Sequence, residues 1–118
     1  AHVDPAETER LAQAQLDAYN ARDIEAFAAC YDQDVRVWDL HTGALRFEGR
    51  GELHARYGAQ FQAHPALHAR LDSRIVVGAT AADRETVRGL APDGAVVEAL
   101  AIYEVKDGLI QQVWFARG

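Results

Sequence analysis

The sequence predicts an α+β fold, a curved antiparallel sheet packed against three helices from the N-terminal half of the chain. Three observations predict it. Three stretches of helical periodicity, with one strand among them, precede Pro65. Four strand-like stretches follow it, separated by turn signals such as Pro92-Asp93-Gly94 and Lys106-Asp107-Gly108. The chain has 118 residues, the size of one domain, so 1–118 is expected to fold as a single unit with a modest core.

Asp4-Pro5-Ala6-Glu7 opens the first helix, with Asp4 as cap and Pro5 in the first turn. This helix should run to about Asn20, with Ala12, Leu16 and Tyr19 as its apolar stripe. Gln15 lies at the stripe's edge, while Gln13, Asp17 and Asn20 are expected to face away. Asp23 caps a second helix in which Ile24, Phe27, Ala28 and Tyr31 follow helical spacing, and Asp32-Gln33-Asp34 is expected to break it. Val35 to Leu40 alternates as a strand, with Val35, Val37 and Asp39 on one face. After a turn at His41-Thr42-Gly43 and a short extended piece at Leu45-Arg46-Phe47, a third helix carries Leu53, Tyr57 and Phe61 and ends at Pro65. The remaining strands are read as Leu67 to Val77, Asp83 to Leu90, Ala95 to Val105 and Leu109 to Phe115. Val97, Ala99, Ala101 and Tyr103 line one face of the sheet, and Val96, Leu100 and Ile102 the other. A sheet with one wet face should be polar there, so a two-fold homodimer through the sheet is expected.

A formal net charge of −6, with arginines scattered singly, argues against nucleic-acid or membrane-surface partners. There is no apolar run of membrane-spanning length, and a cytoplasmic location is the expectation. Cys30 is the single cysteine, and it falls in an apolar helical stretch, as a core residue would.

Four segments carry a resemblance. Tyr19 to Phe27 (YNARDIEAF), Tyr31 to Asp39 (YDQDVRVWD), Phe47 to Leu53 (FEGRGEL) and Tyr103 to Ile110 (YEVKDGLI) resemble, in order, the first helical junction, first strand, third-helix start and final hairpin of the nuclear transport factor 2-like (SnoaL-like) superfamily. The resemblance covers essentially the whole chain. It implies a cone with one internal pocket for a small apolar molecule. Within that superfamily the nearest pattern is ketosteroid isomerase, whose carboxylate base matches Asp39. Its oxyanion-holding Tyr and Asp match Gln15 and about Ala101. Gln can donate one hydrogen bond and Ala none, so this sequence keeps the base and departs from the oxyanion hole.

Asp39 is the leading catalytic candidate. On the pocket face it would be desolvated, with a raised pKa, and able to take a proton. The competing reading is that Asp39 begins the turn and caps Thr42 or Gly43 from solvent. His41 is a candidate polar partner. Gln15, Tyr19, Val37, Tyr57 and Phe61 are expected to line the pocket. Glu85 and Glu98 stand in strand interiors, where Glu is disfavoured, and either is a candidate for the pocket, the rim or the interface. Arg70 and Asp72 faintly resemble an Arg/Asp arrangement of the limonene-epoxide hydrolases, with a surface ion pair as the plainer reading. Among the histidines (His2, His41, His54, His64 and His68), His64 and His68 are four apart, but Pro65 spoils their geometry as ligands. No metal site and no cofactor are expected. The sequence therefore points to a cofactor-free isomerase or cyclase using Asp39 as general base, or to a non-catalytic binding or dimerisation module.

Overall fold

The computed structural model describes residues 3–118. The elements, in order, are α1 (Pro5–Ala21), α2 (Ile24–Ala28), β1 (Tyr31–Asp39), β2 (Leu45–Glu48), α3 (Arg50–Ala63), β3 (His68–Val77), β4 (Thr80–Arg88), β5 (Val97–Lys106) and β6 (Leu109–Arg117). The six strands form one open sheet in the order β2-β1-β6-β5-β4-β3. The sheet is mixed. The four long strands pair antiparallel as expected, but β1 lies parallel to β6, because α3 and four strands intervene before the chain returns.

Local chemistry sets the element ends. Asp4 Oδ1 accepts from Ala6 N at 2.9 Å, and Asp23 Oδ1 from Ala26 N at 3.1 Å, so both helices are capped as the sequence implies. The second helix is shorter than its periodicity predicts. Tyr31 leaves it to head β1, and Asp32-Gln33-Asp34 is strand rather than break. β4 also begins three residues early, at Thr80. The β5–β6 hairpin turns at Asp107 and Gly108, both at positive φ (54° and 77°), the conformation its right-handed twist requires. At Gly89 any Cβ would strike the backbone of Ala66, so only glycine fits where β4 passes the end of α3.

The helices cover the inner face unevenly. α1 packs across β3, β4 and β5, α3 leans on β1 and β2, and α2 joins the two helices. Phe27, 1% exposed, sits where they meet, with ring centroids 4.7 Å from Tyr57, 5.0 Å from Tyr31 and 5.8 Å from Phe61. Gln13 and Asn20 do not face away from the sheet. Asn20 donates to Ala69 O at 2.9 Å and accepts from Ala69 N at 2.8 Å, like one more strand residue, and so ties the end of α1 to β3.

A bulge at Asp72 reverses the alternation of β3. Leu71 pairs with Glu85 and Ser73 with Arg84, leaving Asp72 unpaired, so that Arg74 instead of Ser73 faces inward opposite Asp83. Arg74 donates twice to the Asp83 carboxylate, at 2.7 and 2.9 Å, and once to Gln13 Oε1 at 3.0 Å. Asp83 is wholly buried and the Arg74 side chain only 9% exposed. Cys30 is also buried, its thiol donating to Ala26 O at 3.5 Å, with its pKa raised by burial.

The outer face carries an apolar row running straight across five strands. Trp38, Trp114, Ile102, Ala82 and Ile75 are in register on β1, β6, β5, β4 and β3. Ile75 at the row's end is 67% exposed. Among the described residues no helix is long and apolar enough to cross a membrane.

Removing one partner of the Arg74–Asp83 pair strands a charge in the core. Asp83→Ala is expected to lower unfolding free energy by about 3–5 kcal/mol, read by urea denaturation. A loss comparable to that of an exposed pair such as Arg84–Glu98 would contradict this account.

Candidate functional site

A cavity of about 200 Å³ lies between the inner face of the sheet and the helices. Leu16, Phe27, Val87, Leu90, Val97 and Phe115 give it an apolar wall, and Ala69 and Ala99 leave room. Its polar groups are Gln15, Gln60, Glu85, four tyrosines (Tyr19, Tyr31, Tyr57 and Tyr103) and, at its edge, Arg46, Arg56 and Arg117. An apolar wall on which polar groups converge is the usual composition of a small-molecule site.

Glu85 is the carboxyl in this cavity. Strand alternation puts it on the inner face of β4 with Ala81, Asp83 and Val87, and it is 7% exposed. Its pKa is raised from 4.5 to about 7, by burial above all and then by the negative charge of Asp83, with Arg74 pulling it back in part and Asp72 adding an upward push. A carboxyl near 7 is half charged at neutral pH and can both take and return a proton.

The phenols surround it. Burial raises the Tyr57 pKa to about 12, against the charges of Arg46, Arg117 and Arg56, and burial holds Tyr19, Tyr31 and Tyr103 above the ordinary phenol range. All four remain O–H donors at neutral pH. Tyr31 Oη donates to Gln15 Oε1 at 3.2 Å, and Gln15 Nε2 donates to Ala12 O at 3.0 Å, so the Gln15 amide is already engaged within the protein. The Gln60 Oε1 atom is enclosed in the cavity wall with no hydrogen-bond partner among the described residues.

Asp39 is elsewhere. It does share the inner face, opposite Phe115, but β1 ends there and the chain turns back. Its Oδ1 accepts from His41 N at 2.9 Å and Thr42 N at 3.0 Å, so it caps the turn in solvent. The Thr42 N–H chiefly, with that of His41, draws its pKa below the usual carboxylate value, the reverse of what a general base needs. The expectation of a pocket base at Asp39 is therefore corrected. His41 is exposed in the same turn, its Nε2 3.4 Å from Arg117 O, and does not line the cavity. Val37 is 1% exposed in the core behind the cavity. Phe61 stands edge-on to Tyr19 at 5.4 Å, supporting a wall residue without being one. Glu98 is on the outer face, paired with Arg84 at 3.2 Å, and Arg70 and Asp72 form a surface pair at 2.8 Å.

Of the residues named from sequence, Gln15, Tyr19, Tyr57 and Glu85 come together at the cavity. Tyr31, Gln60, Tyr103, Arg46 and Arg117 also line it, and none of these was expected there from sequence. Tyr103 was legible from its place on the apolar face of the strand, but Arg46 was not. β2 has a bulge there, with Phe47 opposite Val37 and Leu45 opposite Trp38, and the extra residue lines the cavity. His2 lies outside the described residues, and among those described no three His, Cys, Asp or Glu side chains cluster as metal ligands would.

The SnoaL-like domain family's sequence profile matches residues 12–113. Among solved structures, a cystatin-fold protein from Novosphingobium aromaticivorans is 26% identical, with 93% of this chain and 97% of that chain covered and a TM-score of 0.83. A candidate ketosteroid isomerase from Kribbella flavida is 24% identical, with 96% and 78% covered and a TM-score of 0.81. A candidate polyketide cyclase from Sinorhizobium meliloti is 24% identical, with 91% and 94% covered and a TM-score of 0.77. At these identities the last two establish likeness of fold. Comparison with curated proteins found no match.

Glu85 makes stability depend on pH. Its folded pKa of about 7 exceeds its unfolded 4.5, so the folded state holds the proton longer. Its contribution is fully present below pH 4.5 and is lost as pH rises through about 7. Relative to Glu85→Gln, the native protein should lose about 3 kcal/mol across this window, measured by denaturation at a series of pH values. Parallel curves for the two proteins would mean that Glu85 titrates normally.

Proposed function

The chain belongs to the SnoaL-like domain family, and from that premise we propose that it is a cofactor-free proton-transfer enzyme, an isomerase or cyclase acting on a small apolar carbonyl compound with Glu85 as general base. The observation that carries this reading is a single carboxyl, 7% exposed, in the wall of an apolar cavity with a pKa near 7. The names given to the Kribbella and Sinorhizobium proteins agree with the reaction class.

In this reading the substrate's carbonyl lies among the phenols and its neighbouring carbon faces Glu85. The carboxylate takes the proton from that carbon. The C–H electron pair moves to the carbonyl oxygen, and Tyr19, Tyr57 or Tyr103 donates a hydrogen bond to the enolate. Where a C=C adjoins that carbon, Glu85 returns the proton at the far carbon of the dienolate, giving an isomer; alternatively the enolate carbon attacks another carbonyl of the same molecule, closing a ring, and Glu85 gives its proton to the alkoxide that forms. Gln60 Oε1 is an acceptor for a hydroxyl on the substrate. Hydrolysis through Asp39 paired with Glu85 or Glu98 has no support, because the three carboxyls lie in three different places.

We also propose that two copies pair through the outer face of the sheet. The apolar row from Trp38 to Ile75 supports it, since water gains nothing from such a row and a second copy can cover it about a two-fold axis.

The catalytic reading is tested by exchange of carbon-bound hydrogen for deuterium in a panel of enolisable cyclic ketones, followed by NMR. Glu85→Gln should slow exchange at least about 100-fold, Asp39→Asn should leave it within about twofold, and the native rate should rise with pH to a plateau above about 7. Ketone binding without exchange would leave a binding module. For the pairing, Ile102→Lys should halve the mass measured by light scattering in solution, and a native protein already of monomer mass would end that proposal.

A further inference from the structure

We infer that the ligand of this cavity is an amphipathic anion, with an apolar ring body inside and an acidic group held at the mouth by Arg46 and Arg117. The inference rests on the reading of the cavity as a ligand site and adds the chemical class of what enters it.

The first observation is charge that goes unanswered. The chain has 18 acidic and 12 basic residues, so carboxylates are plentiful. Arg10, Arg36, Arg56, Arg70, Arg74 and Arg84 each pair with one. Among the described residues Arg46 and Arg117 pair with none, yet both line the cavity. Arg56 also lines it, with one side committed to Glu52 at 2.8 Å and its guanidinium 4.6 Å over the Phe47 ring.

The second observation is how each arginine is aimed. Arg46 is the extra residue of the β2 bulge, and bulges re-aim side chains. Arg117 shares an inner row with Ala99 and Glu85, its partners in register across β6, β5 and β4. Two strand spacings separate Arg117 from Glu85, roughly 10 Å between backbones, with only a methyl group between them. That span fits one or two fused rings, acidic group at Arg117 and reacting carbon at Glu85. Arg46, Arg117 and Arg56 all line the same cavity, and the charge of each acts on the Tyr57 hydroxyl. Guanidinium forks hold acidic oxygens in fixed geometry, so they orient the ligand as well as attract it.

The test uses two fluorescent probes with the same aromatic body. 1-Anilinonaphthalene-8-sulfonate carries an acidic group and N-phenyl-1-naphthylamine carries none. The native protein should bind the sulfonate at least about tenfold more tightly, and raised salt should reduce that preference. The Arg46→Gln, Arg117→Gln double variant should abolish the preference and leave the neutral probe within about twofold. Arg88→Gln, an exposed cation that does not line the cavity, should change neither. Equal binding of both probes by the native protein, or a preference that survives in the double variant, overturns the inference. Ala99→Phe, which fills the cavity, separates the two levels. Loss of both probes there supports the cavity as the site, and retention of both overturns the cavity reading itself. Circular dichroism on each variant verifies that the fold is intact.

Discussion

The two hydrogen bonds from Arg74 to Asp83 set the electrostatics of the inner face. They depend on a single extra residue, Asp72, which shifts the alternation of β3 so that an arginine points into the core. Once there, Arg74 makes it possible to keep Asp83 wholly buried. Asp83 lies two residues from Glu85 on the same face of β4, and its charge adds to the burial that lifts Glu85 toward neutrality. Burial is the larger cause, and Arg74 takes back part of what Asp83 adds, so the ion pair tunes the cavity acid by a contact that does not itself line the cavity. The paired charge of Asp83 and the cavity carboxyl of Glu85 are kept apart by one repeat of the strand's pleat.

The cavity exists because the helices do not cover the sheet evenly. α1 and α3 rest on opposite halves, and the aromatic cluster around Phe27 closes the angle between them at one end only. Large rings hold the walls apart while Ala69 and Ala99 take up little space opposite them. The phenols that result are too well buried to ionise, so they serve as donors, and Glu85 is left as the group whose proton moves in the neutral range.

The two faces of the sheet follow one pattern and meet different environments. Inner positions of β5 and β6 pack on helices or line the cavity, while the outer row from Trp38 to Ile75 lies open. Both faces of β5 carry apolar residues, so its composition alone does not tell the inner face from the outer.

Much of the fold was legible in the sequence, because helix stripes, caps and hairpin turns are local. Asp4, Asp23 and Asp107-Gly108 act where the sequence places them. Period-two alternation put Asp39 on the face of Val35 and Val37, which is the inner one, and could have separated Glu85 from Glu98, two residues that the sequence left as equal candidates. What alternation cannot supply is how far along a strand the cavity extends, or where a bulge resets the count. Asp39 lies beyond the cavity's end and turns to the nearest backbone N–H groups, while Arg46 and Arg74 face inward through bulges written in no local motif. The sequence by itself determined most of the elements, the caps of α1 and α2 and the inner faces of β1 and β5, since these depend on neighbours a few residues apart. Only the tertiary structure decided which carboxyl loses its water, because desolvation depends on atoms brought together from α1, α2, α3 and the strands, and no span of sequence contains them all.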